Sequence, residues 1–508
     1  MDKYSDIFVI GGGVNGCGIA RDAAGRGLSV TLCEQGDLAQ GTSSSSTKLI
    51  HGGLRYLEYY EFSLVRKALA EREVLLRIAP HIIQPIRLLL PYHKGLRPAW
   101  LIRLALFLYD NMGGRKLLPA SKTVDLRDSV EGGPLKKRFK RAFEYSDCTV
   151  DDARLVILNA MAARDNGAHI YTRSRVLSAQ RIDSFWTIRV LDVDTATEYV
   201  VHSKVLVNAS GPWVSEVIEK CTPMDPVTRL RLVKGSHIIV PKLYAHSKSY
   251  TLQGKDGRIV FTIPFKNDFT LIGTTELDYD GDLENIEVQE EEVSYLCDFV
   301  SDYFLTTLSP KDVVFRYAGI RPLFDEGVSA AQAATRDYIL ELNAGEEGAA
   351  PLLNIIGGKI TTYRVLAEEA LAKIRDYFPS MGKDWTARKC LPGGDIGING
   401  YETALSRLRI QCPFLRVEHA QRLIGSYGTL AFKILEQVAD TDALGEHFGA
   451  DLYAAEVTYL MEWEWARTAD DVLQRRGKLC LYLDSAQVQK LSSWMLQQTA
   501  LPEDRKYG

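Results

Sequence analysis

A chain of 508 residues, 46% hydrophobic and 25% charged, has the composition of an ordinary globular protein and the length for about two to four domains. Its net charge of −4 gives no global attraction to nucleic acid, and no apolar run reaches the roughly 18 residues needed to span a bilayer. None of the eight cysteines stands at C-x-x-C spacing, so no zinc, iron–sulfur or other metal site is expected. Redox chemistry here would need a bound organic cofactor.

The N-terminal "MDKYSDIFVIGGG" has acids and a short apolar run without the shape of a secretion signal, which predicts a cytosol-like compartment. Ile7 to Ile10 suit a buried parallel strand. Gly11-x-Gly13-x-x-Gly16 follows at once, and Ile19, Ala20, Ala23 and Ala24 give helical spacing. A second strand, Leu28 to Cys33, ends at Glu34. Glycines allow the tight turn and close backbone approach to a pyrophosphate at the helix N-terminus, while Glu34 can accept from a ribose hydroxyl. This order of elements predicts a dinucleotide site but does not choose between NAD and FAD. Thr42, Ser43, Ser44, Ser45, Ser46, Thr47 and Lys48 come next, and so many small hydroxyls favour the extended chain of FAD.

"KLIHGGLRYLEYYEF" (48–62) places His51 and Arg55 among apolar residues, where a charge needs a partner. Helical spacing follows over 62–84 until Pro80 and Pro85 break it. "LRPAWLIRLALFLYDNMGGRK" (96–116) fits either a core helix or a shallow helix on a membrane, with Trp100, Leu101, Leu104, Phe107 and Leu108 sharing one side. "LKKRFKR" (135–141) is basic, but with one phenylalanine it gives poor support for nucleic-acid binding, and none is expected. Asp151 and Asp152 read as the start of a helix and carry no catalysis. A second α/β stretch spans 168–207, and strands are predicted at 229–240, 258–264, 269–273 and 312–317. "CLPGGDIGING" (390–400) is a natural linker, beyond which the spacing is helical. The expected division is an oxidoreductase domain over 1–387 and an all-helical domain over 388–508.

These blocks, in this order, resemble the FAD-dependent glycerol-3-phosphate dehydrogenases of the respiratory, quinone-linked aerobic bacterial type. The resemblance rests on "VIGGGVNGCGIARDAAGRGL", "SSSSTKLIHGGLRYLE", "EYSDCTVDDARLV", "NASGPWV", "KGSHIIVP", "GTTELDYDGD", "AGIRPL", "TRDYIL", "GGKITTYR" and "RTADDVLQRRGK". One departure is Gly477 after Arg475-Arg476, where the family pattern continues with threonine. The resemblance implies an α/β, glutathione-reductase-like (Rossmann-type) FAD domain with an inserted β-rich substrate domain and a helical C-terminal cap.

It further implies oxidation of sn-glycerol 3-phosphate to dihydroxyacetone phosphate, with hydride passing to FAD and electrons to a membrane quinone. An oxygen-using oxidase is the alternative. The protein would be cytoplasmic and peripheral on the inner face of the cytoplasmic membrane, and a homodimer is compatible with this. His51 and His237 compete as the base, with His51 favoured, and Arg321 stands with them at the reacting end. Arg55, Tyr56, Thr274, Arg336 and Lys359 are the implied substrate contacts. The implied cofactor contacts are Gly11, Gly13, Val14, Asn15, Gly16, Glu34, Thr42, Ser46, Lys48, Val176, Ser210, Gly211, Gly358, Lys359, Ile360 and Thr361.

Overall fold

The computed structural model describes residues 3–114, 116–225, 230–254, 257–325, 337–346 and 348–499. Strand β1 (Lys3–Ile10) lies at the centre of the first sheet, with Ile7, Phe8 and Val9 fully buried. It pairs in parallel with β2 (Val30–Cys33) on one side and with Thr197–Asn208 on the other. His169–Tyr171 and Leu352–Ile356 extend the parallel set, so both faces must be covered. Helix α1 (Val14–Gly25) covers one face against helix α4 (Asp152–Asp165) and the helix Tyr363–Lys373. At Gly16 a Cβ atom would sit 2.0 Å from the Gly11 carbonyl oxygen, so only glycine lets α1 cross β1 this closely.

The second sheet is mostly antiparallel and ten-stranded. Its strands include Leu230–Pro241, Ile259–Phe265 and Phe269–Gly273, as the alternating sequence predicts, and Phe315–Phe324, which begins later and runs further than the expected 312–317. Two long members were not predicted. Ile83–Pro91 and Arg141–Val150 pair over nine residues each, and Ser249–Gln253 joins the first in parallel. Within 168–207 the chain forms an antiparallel meander, Ser174–Ile182 and Phe185–Asp192, rather than a further α/β unit. Helix α2 (Phe62–Ile78) packs on the second sheet and meets helix α3 (Ala99–Met112).

The C-terminal region is helical, with one addition: a short ribbon of His447–Gly449 and Leu452–Tyr453. It has its own core, from Ala404 to Met495, while Leu391 still belongs to the core under the first sheet. Ion pairs fasten the two. Arg475 and Arg476 both reach Asp37, Arg154 of α4 pairs with Glu464, and Lys478 bonds Asp152 at 2.8 Å. The unexpected Gly477 therefore sits inside this junction, its carbonyl accepting from Lys266 at 3.2 Å.

Candidate active site

One cavity of about 1400 Å³ runs from the β1–α1 turn, between the sheets, to the underside of α3. At the first end lie Gly11, Gly13, Val14, Asn15 and Glu34. The N-cap residue of α1, Gly13, has no side chain to cap the helix, so the positive end of the helix faces the cavity. The Val14 amide donates to Ser43 Oγ at 3.0 Å, folding the hydroxyl-rich loop over the turn. Gly11 takes a left-handed φ of +108°, and a Cβ there would fall 2.6 Å from the Ala209 carbonyl. A backbone this bare fits a pyrophosphate. Glu34 accepts from the Gly12 and Gly36 amides at 2.7 and 2.8 Å, which fix its carboxylate at the end of β2. Burial raises its pKa against those amides.

Thr42, Ser46, Val176, Ser210 and Gly211 line the middle of the cavity, and Gly358, Lys359, Ile360 and Thr361 line its far wall. Asn15 Nδ2 donates to the Gly357 carbonyl at 3.1 Å, tying the glycine turn to that wall. Two expected contacts stand behind the lining. Gly16 is consumed by helix–strand packing, as above. Lys48 is buried, donating to Asp152 at 2.8 Å and to the Ser44 carbonyl at 2.9 Å. Its burial lowers its pKa to about 8 despite Asp152.

His51, Arg55, Tyr56, Thr274, Arg321 and Lys359 also line the cavity. Arg321 donates to Thr274 Oγ1 at 3.3 Å. Lys359 Nζ lies 3.8 Å from the centre of the Tyr56 ring. The His51 amide donates to Thr361 Oγ1 at 3.3 Å, and its ring meets Phe261 edge-on. A residue that sequence reading passed over stands among the cations: Glu276, 8% exposed, lies 3.4 Å from Arg55 and 3.6 Å from Arg321. Nothing local in "GTTELDYDGD" marks it, because the two arginines come from distant strands and loops.

His237 corrects an expectation. It does not line the cavity; it is 1% exposed, stacked on Tyr317, with Nε2 2.9 Å from Thr47 Oγ1. Burial first, then Arg321, lower its pKa well below the ordinary value, which favours the neutral ring. Arg336 lies outside the described residues. Asp151 caps α4 through the Arg154 amide, as the sequence indicates, but Asp152 is a buried hub between Lys48 and Lys478. Its burial would raise its pKa, yet the two lysines hold it at about 2. In the basic run Phe139 is buried and stacked on Tyr303, so it offers no platform for a base.

A glycine turn at a helix N-terminus, an acid closing the second strand, and a cationic chamber at the other end of one cavity define a flavin-dependent oxidoreductase. The family described as FAD dependent oxidoreductase matches residues 6–364, and the C-terminal domain of alpha-glycerophosphate oxidase matches residues 385–497. The glycerol-3-phosphate dehydrogenase of Pseudomonas aeruginosa is 50% identical, over 97% of this chain and 96% of its own. The D-erythritol 1-phosphate dehydrogenase of Brucella abortus is 49% identical, over 96% and 97%. The crystal structure of the Bacillus halodurans glycerol-3-phosphate dehydrogenase, complexed with FAD, superposes with a TM-score of 0.77 at 27% identity. It covers 99% of this chain and 92% of that one. The chain belongs to the FAD-dependent glycerol-3-phosphate dehydrogenase family.

Proposed function

We propose that this enzyme oxidises sn-glycerol 3-phosphate to dihydroxyacetone phosphate at the chamber formed by His51, Arg55, Tyr56, Thr274, Arg321 and Lys359. The observation that carries this reading is two arginines and a lysine converging beside a histidine on the cavity that begins at the dinucleotide turn. Arginine forks suit a phosphate dianion. With the phosphate on Arg55 and Arg321, the C2 hydroxyl faces His51, whose ring nitrogen takes its proton. Lys359 and Tyr56 close the wall around the carbon. Bound FAD supplies the acceptor for the hydride leaving C2 and the store from which a quinone draws electrons.

Helix α3 supports a peripheral membrane site for that quinone. No helix among the described residues is long and apolar enough to cross a membrane. Yet Trp100, Leu104, Phe107 and Leu108 are 68, 47, 61 and 36% exposed on one face of α3. Leu101, expected on that exposed face, instead lines the cavity with Ile102 and Ala105. A quinone leaving the lipid would therefore meet the cavity through this helix. We set the division between the oxidoreductase part and the cap at residues 387 and 388.

A longer polyol phosphate is a second reading, favoured by the equal likeness to the erythritol phosphate enzyme and by Glu276, a carboxylate able to accept from further hydroxyls. Anaerobic reduction of the yellow holoenzyme tests both. Glycerol 3-phosphate should bleach the flavin faster than erythritol phosphate, and quinone should restore the colour faster than oxygen. Failure of glycerol 3-phosphate to bleach it would overturn the first reading.

A further inference from the structure

The His51 loop is anchored from an unexpected side. Tyr109, near the end of α3, is 1% exposed and does not line the cavity. Its hydroxyl oxygen accepts the Gly52 amide hydrogen at 2.8 Å. Its own proton goes to Asp147, whose carboxylate oxygens lie at 2.8 and 2.9 Å. Asp147 is fixed in turn by Arg72 of α2 at 2.7 Å, and Arg72 also donates to the Ser146 carbonyl at 2.6 Å. The direction of each bond is forced. An amide can only donate and this carboxylate accepts, so the phenol must stand between them in one orientation. Burial and Asp147 hold the phenol protonated.

Gly52 cannot be replaced without moving this contact. A Cβ there would lie 2.4 Å from Leu69 Cδ2 and 2.8 Å from Tyr109 Cε2. Gly53 then turns with φ of +74° into the short 3-10 helix Leu54–Tyr59, which carries Arg55 and Tyr56. The loop thus crosses from His51 to Arg55 with the His51 amide tied to Thr361 and the Gly52 amide tied to Tyr109 at 2.8 Å and, at the longer distance of 3.4 Å, to Asp147.

We propose that Tyr109 is a positioning residue for catalysis, holding the Gly52 amide so that His51 presents its ring to the substrate hydroxyl. The inference rests on His51 being the base. It makes α3 a structural support of the reacting end as well as a surface helix.

Tyr109→Phe removes the hydroxyl and keeps the ring, which packs edge-on to Tyr145 at 5.9 Å. In the holoenzyme, flavin reduction by glycerol 3-phosphate should slow by about 10- to 100-fold, the effect of a misplaced reacting group. KM should change by under about threefold, and the pH profile of flavin reduction should shift. In a His51→Ala background the same change should cost less than about twofold, because the two act as one unit. Fluorotyrosine at position 109 keeps the hydroxyl and should be faster than phenylalanine, with a rate that falls as added fluorines make the hydroxyl oxygen a weaker acceptor. Equal losses in both backgrounds, a parental rate for Tyr109→Phe, or fluorotyrosine as slow as phenylalanine would each overturn the positioning role. A His51→Ala enzyme as fast as its parent would remove the base assignment and this inference with it. Should Tyr109→Phe not retain FAD, the fluorotyrosine series alone decides, since a rate tracking hydroxyl acidity supports the role and a flat series refutes it.

Discussion

Arg55 and Arg321 share Glu276 at 3.4 and 3.6 Å, so the carboxylate holds both forks apart and facing one space. A phosphate dianion competes with Glu276 for the same protons. Glu276→Gln should therefore tighten inhibition by inorganic phosphate by roughly 1 kcal/mol, about fivefold in Ki. A weaker inhibition would mean that the carboxylate organises the arginines more than it opposes the anion. Arg321→Ala or Arg55→Ala should lose roughly 2–5 kcal/mol in kcat/KM, the range for truncating one partner of a buried charge pair. Glycerol should be a very poor substrate, and equal turnover of glycerol and glycerol 3-phosphate would displace the phosphate site. Arg55 and His51 stood out because charged residues in an apolar stretch need a partner, whereas Lys359 came from the family resemblance alone. Glu276, Tyr109 and Asp152 did not stand out, since Glu276 and Asp152 act through partners brought in from other elements and Tyr109 hides in a helix that reads as amphipathic.

Among the elements, α3 shows where periodicity stops. Its sequence suits a core helix and a surface helix equally, and only packing decides: Leu106, Tyr109 and Asp110 alone are buried along its 14 residues. Replacing Trp100 and Phe107 together with Ser should release the protein from anionic vesicles while dye-linked dehydrogenase activity survives. Collapse of folding and activity together would instead make α3 a core element, and a parent that floats free of vesicles at low salt would end the membrane reading. The glycine turn and the apolar strands around it were legible because both faces of a parallel sheet are buried. The strand Ile83–Pro91 was not, since Pro80 and Pro85 read as breaks. Pro85 precedes the part of the strand that pairs on its second side, Leu88–Leu89 with Ser249–Tyr250, so its missing N–H leaves that ladder intact.

For the molecule as a whole, the seam between the cap and the FAD domain carries an acid-sensitive point. His81 is 2% exposed, packed near Gly393 and Gly428, and neither ring nitrogen has a hydrogen-bond partner among the described residues. Burial, then Arg154, lower its pKa to about 3. The folded value is depressed, so its contribution is complete above the unfolded value near 6.5. As pH falls below that, stability should drop by about 1.4 kcal/mol per pH unit toward 3. His81→Leu should flatten this slope, giving a Tm advantage over the parent that grows on acidification; parallel Tm curves would clear His81 of the role. The same seam sets an order of assembly. The loop after β2, which begins at Glu34, is pinned by Arg475 and Arg476 on Asp37, 438 and 439 residues along the chain, and through Asp152 by Lys478 on Lys48. On the ribosome, β1, α1 and β2 emerge first, yet the clamp on their nucleotide loop is among the last parts made. Stable flavin capture is therefore an event of the completed polypeptide, and nascent chains stalled before residue 475 should stay colourless where full-length chains turn yellow.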